Sequence, residues 1–127
     1  MTETNIENKP KVVIDMLKYR IRIHRTTLNG LGQPQKVLFM VHPTGKSFVV
    51  KVTTPNDKKG HTINYEAMNK GHSCEVYSQL LIKEIGKLFP NWKTGEKYIL
   101  NGAIIEKENL AVFDMTSAIP LTTKGDF

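Results

Sequence analysis

Residues 35 to 54 read QKVLFMVHPTGKSFVVKVTT. Two apolar, β-branched runs, Val37 to Val41 and Phe48 to Val52, flank the turn-forming residues His42-Pro43-Thr44-Gly45-Lys46. Such runs on either side of a tight polar turn predict a β-hairpin. The Gly45-Lys46-Ser47 triplet also invites a P-loop reading. That motif needs a glycine five residues before Gly45, where Met40 stands, and a helix after the Lys-Ser pair, where Phe48 to Val52 reads as strand. The P-loop is excluded, although the amides of a hairpin tip together with Lys46 suit contact with a phosphate.

On the N-terminal side of this hairpin, residues 18 to 24 (KYRIRIH) alternate with period two, the pattern of a half-buried strand. Tyr19, Ile21 and Ile23 are expected in the core, with Lys18, Arg20, Arg22 and His24 outward. RTTLNGLG follows, with Thr26 or Thr27 as cap, Leu28 and Leu31 on one face and Gly32 as the stop, predicting one or two helical turns that Pro34 ends. KVVIDML (11–17) is a short extended lead-in.

On the C-terminal side, residues 54 to 72 are polar and turn-rich, with a brief strand at His61 to Tyr65. Ser73 is expected to cap a longer amphipathic helix running to about Phe89, with Tyr77, Leu81, Ile85 and Leu88 as its stripe and Leu80 beside it. Pro90 ends that helix. YILNGAIIEKENLAVFDM then predicts a second hairpin turning at Glu106 to Asn109, and the lone Trp92 plugs the junction before it.

The expected fold class is therefore α+β and β-rich. It comprises two strand–helix–hairpin units, about 18–53 and 73–116, joined by a linker at 54–72 and packed against each other, with a swapped-hairpin or barrel-like arrangement in view. A flexible tail at 1–10 precedes a single domain at 11–127, a length within the usual range of about 50 to 250 residues. Whether the units pair within one chain or between chains is left open.

YRIRIHRTTLNGLGQPQKVLFMVHPTGKSFVVKV (19–52) resembles the swapped-hairpin barrel of AbrB-type transition-state regulators. The resemblance rests on Ile21 and Ile23 in the strand, Leu28 in the helix, Leu31-Gly32 closing it, and Val37 to Val52 as the hairpin. It implies an intertwined homo-oligomer that binds DNA through basic residues near the first strand, where Arg20, Arg22 and Arg25 stand. The family's helix-opening proline and its Gly-Asp turn are replaced here by His24-Arg25 and by Gln33 to Lys36. The chain also looks like small uncharacterised proteins of phages and mobile elements.

The residues themselves point toward anions. All three arginines lie within residues 18 to 25, and residues 18 to 59 carry nine Lys or Arg against one acid. From Gly60 onward, seven lysines face eight acids. Arginine binds phosphate through planar, charge-assisted pairs, and alternate strand residues recur about every 6.6 to 6.8 Å, a spacing that suits a row of phosphates. The candidate anion site is Lys18, Arg20, Arg22, His24, Arg25, Lys36 and Lys46. The competing use of such a row is protection of a sheet edge.

Three functions follow: a non-enzymatic DNA-binding protein, a protein that sequesters a phosphate-bearing nucleotide immune signal, and an inhibitor that covers an acidic protein partner. Cys74, read at a helix start beside His72, has no oriented base with it, and His61, His72 and Cys74 lack a zinc spacing. No cofactor or metal is expected. The polar N-terminus is unlike a signal peptide, no apolar run is long enough to cross a membrane, and a single cysteine fits a reducing cytoplasm.

Overall fold

Alternating apolar residues and tight turns build most of this molecule. The computed structural model describes residues 9–71 and 73–121. Strands β1 (Lys11–Asp15) and β2 (Arg20–Ile23) form an antiparallel pair, and α1 (Arg25–Gly30) follows at once. Next come the predicted hairpin, β3 (Lys36–His42) and β4 (Ser47–Thr53), the two-residue β5 (His61–Thr62), and a short helix α2 (Tyr65–Asn69). The second half holds β6 (Cys74–Tyr77), α3 (Gln79–Leu88), the hairpin β7 (Lys97–Ile105) and β8 (Leu110–Asp114), and a last strand β9 (Ile119–Leu121).

The strand order is β5-β3-β4-β8-β7-β1-β2-β6, with β9 also on β7. The class is α+β and strand-rich, and the antiparallel sheet curls into a half-barrel. Both expected units are present, β2-α1-β3-β4 and β6-α3-β7-β8, and they pair within one chain. Their first strands pair antiparallel, β2 with β6, as do their last, β4 with β8. Each unit's leading strand lies on the other unit's hairpin, β1 on β7 and β5 on β3. The repeat breaks in one place. β1 turns directly into β2, whereas α2 separates β5 from β6, and these two end the order without a ladder between them among the described residues.

The core lies inside the curl. Val12, Ile14, Ile21 and Ile23 from one wall meet Phe48, Val50, Ala111 and Phe113 from the other, and Leu28, Ile82, Ile85 and Met115 close the ends. β7 serves both walls, pairing with β1 up to Asn101 and with β8 from Gly102. The changeover needs a glycine, because a Cβ on Gly102 would sit 2.5 Å from the Phe113 ring and from the Val112 carbonyl.

Several expectations change. Residues 73 to 78 are strand and link, so α3 starts later and its cap is Ser78, whose hydroxyl accepts from the Leu81 amide at 3.1 Å. Tyr77 and Leu80 are exposed, while Ile82 takes the core place. The linker contains α2, which the sequence reading missed. The cap of α1 is His24, not Thr26 or Thr27. The tail expectation falls largely on residues 1–8, outside the described residues; Lys9 and Pro10 are tied down, their carbonyls accepting from Thr26 Oγ1 at 2.7 Å and the Gly102 amide at 3.0 Å. Trp92 does plug the junction, stacked between Phe89 at 4.8 Å and Tyr98 at 4.1 Å.

Candidate anion-binding site

Cross-strand register decides what the arginines of β2 can do. On the face away from the core, two ranks cross β1, β2 and β6: Val13–Arg22–Glu75 and Asp15–Arg20–Tyr77. Directly opposed side chains on a sheet interact, and here opposite charges meet. Arg20 Nε donates to Asp15 Oδ2 at 3.0 Å and Nη1 to Glu75 Oε2 at 3.1 Å, while Arg22 Nη2 donates to the same Glu75 oxygen at 3.0 Å. The Arg20 side chain is 10% exposed and that of Asp15 1%.

The expected outward row of cations is therefore corrected. Arg20 is an interior ion-pair residue. Burial disfavours its charged form, but Tyr77, Glu75 and Asp15 outweigh this and raise its pKa. Burial also pushes Glu75 up, and the Arg20 charge, the Tyr77 hydroxyl and Arg22 more than offset it, leaving Glu75 below the usual carboxylate range. Asp15 also accepts from the Leu17 and Lys18 amides at 3.0 and 3.1 Å, which builds the turn. Tyr19 is likewise not core. It stands in that turn at φ +53° with 39% of its surface exposed.

The other candidates are scattered over three places. Lys18 is exposed in the β1–β2 turn. Lys36 Nζ donates to the Asp57 carbonyl at 3.0 Å. Lys46 stands at the β3–β4 tip with its Nζ 5.3 Å from the Phe89 ring centre, a cation–π contact. The far end of β2 gathers the rest. There Arg22, Ile23, His24 and Arg25 line a cleft of about 130 Å³ with Met68, Ser73 and Cys74.

Each wall of the cleft has a local cause. His24 is extended and caps α1, its Nδ1 accepting from the Thr26 amide at 3.2 Å. Burial, then the charges of Lys11 and Arg25, lower its pKa, so the ring is neutral near pH 7. Arg25 is exposed, and its guanidinium reaches the far wall, donating to the Met68 carbonyl at 2.7 Å and to Asn69 Oδ1 at 3.4 Å. Cys74 belongs to β6, not to a helix start, and burial drives its thiol up to about 11, so it is a protonated, unreactive lining group.

The cleft opens where α2 interrupts the repeat, between the end of β2 and the start of β6. Sequence reasoning reached Arg22, His24 and Arg25 but missed Met68, Ser73, Cys74 and the two carboxylates that hold β2. Asp15, an acid in the apolar run Val12-Val13-Ile14, was the available signal for a buried partner. His72 lies outside the described residues. Among the described residues no helix is long and apolar enough to cross a membrane. No protein-family model, curated protein or solved structure matches the chain.

Proposed function

We propose that this chain is a non-enzymatic, cytoplasmic DNA-binding protein that seats a backbone phosphate in the cleft of Arg22, His24 and Arg25. The observation carrying the reading is that cleft, with the guanidinium of exposed Arg25 reaching across it and a second arginine in its wall. Its size suits one phosphate group, since pockets for whole drug-sized ligands run to about 300 Å³ and more. Lys18, Lys36 and Lys46 lie elsewhere on the molecule and add to its overall positive field, which steers an anionic duplex, rather than extending a continuous row. Arg20 holds the strand in place.

The exchange of leading strands between two strand–helix–hairpin units supports the likeness to AbrB-type regulators. A dimer or higher oligomer presents two such clefts to one duplex. No cofactor takes part.

A second reading draws on the same observation. A cleft for one phosphate also suits a free nucleotide, held by its terminal phosphate and thereby sequestered. Competition separates the two. If DNA is the partner, a labelled duplex binds and millimolar mononucleotide does not displace it. A saturable thermal shift with a mononucleotide, and no binding of long duplex, establishes sequestration instead.

A further inference from the structure

At the opposite end of β2 from the cleft, a groove of about 360 Å³ runs between the β1–β2 turn and α3. Met16, Tyr19, Ile82, Lys83, Gly86 and Lys87 line it, with Thr94 at one side. Two of these residues are not the ones the backbone favours. Tyr19 occupies left-handed backbone at φ +53°, where a glycine or asparagine is unstrained and a bulky aromatic is an outlier. Gly86 sits inside α3, where alanine is the better helix former.

Packing does not demand this glycine. A Cβ added at Gly86 would meet only Met16 Cε, at an ordinary 3.6 Å, on the groove side. The turn therefore holds a ring at the groove's mouth against local preference, and the helix leaves its floor open against local preference. A strained turn residue and a helix glycine that packing does not require, both facing one space, point from structure to binding.

Charge identifies what fits. Lys83 and Lys87 are one helical turn apart on the groove's wall, and neither has an ion-pair partner among the described residues. The lining carries no acid. The surround is apolar, because Leu17, Tyr77 and Leu80 are exposed on the turn, on β6 and at the start of α3, and the Ser78 amide ties that segment to the Tyr19 carbonyl at 3.0 Å. A volume near the lower end of ligand pockets accommodates one ring system, not an extended chain.

We propose that this groove binds a small aromatic anion, a single ring system carrying a phosphate or carboxylate. The ring lies against Tyr19, Met16 and Ile82 over Gly86, and the anionic group lies between Lys83 and Lys87.

5-Aminonaphthalene-1-sulfonate, an aromatic anion of one fused ring system whose emission responds to its surroundings, is the probe. Titrated into the intact chain, it is expected to saturate one site. Gly86→Leu fills the floor and weakens binding by at least about tenfold, while Lys83→Ser with Lys87→Ser weakens it by about three- to tenfold. Tyr19→Gly relieves the left-handed backbone, so the fold is kept or strengthened in thermal melts while binding falls, a combination that general unfolding does not produce. Displacement of the probe by AMP assigns a phosphate ligand, and displacement by salicylate assigns a carboxylate. No emission change with the wild-type chain, or affinity equal to the wild type's in either the Gly86→Leu or the double-lysine variant, overturns the proposal.

Discussion

Arg20 shows how a residue's role is set by what lies across from it. In sequence it is one of a run of cations; in space it is enclosed between Asp15 on β1 and Glu75 on β6. Removing one partner of a buried pair leaves the other charged group desolvated and unpaired. Arg20→Met is therefore expected to destabilise the fold by about 3–5 kcal/mol, read by urea denaturation, and a loss below about 1 kcal/mol would refute the interior role. His24 makes a second residue-level prediction. Its capping nitrogen must be unprotonated to accept from Thr26, and its folded pKa lies below the ordinary value of about 6.5. The stabilisation from a neutral His24 is thus complete above about pH 6.5 and is lost as pH falls through the lower folded value. Half-buried His61, whose pKa burial also lowers, acts in the same direction. His24→Asn keeps a capping acceptor without the titration, so its stability should fall less steeply below about pH 6.5 than that of the wild type. An unchanged slope would show that His24 does not carry the pH dependence.

At the scale of elements, the hairpins were the most legible part. Period-two alternation with a polar turn is local information, and both β3–β4 and β7–β8 formed where it predicted. The residues before α3 were not legible for a physical reason. Cys74 to Tyr77 is four residues long and runs straight into a helix, so Tyr77 falls in phase with Leu81, Ile85 and Leu88 at helical spacing. Only pairing with β2, more than fifty residues away, makes those four residues a strand. α2 was hidden differently, as one turn and a little more in a polar stretch where burial of Met68 supplies the anchor. Gly102 is the point at which β7 changes walls. Gly102→Ala drives a Cβ into Phe113 and the Val112 carbonyl, and an overpacked core typically costs about 1–3 kcal/mol or more. A melting temperature equal to the wild type's would show that β7 does not need this close approach.

For the whole molecule, the architecture was legible and the charge map was not. Two strand–helix–hairpin units could be recognised because each repeats the same order of local signals. Counting charge along residues 18 to 59 could not anticipate that Asp15 and Glu75, both outside that window, come to lie beside Arg20 and Arg22. Pairing β2 between β1 and β6 thus removes the centre of the expected row and leaves its end, Arg25, exposed beside Arg22 and His24. Anisotropy of a labelled duplex at several salt concentrations, for the wild type and for Arg25→Ala, reads phosphate binding at the cleft directly. Each neutralised phosphate contributes about −0.9 to the log–log slope on B-DNA. With one phosphate seated per cleft, gripping there predicts a salt-dependent wild-type affinity whose slope becomes shallower in Arg25→Ala by about 0.9 for each cleft in contact with the duplex, with folding stability preserved. A flat wild-type trace, or an Arg25→Ala slope identical to the wild type's, would contradict it.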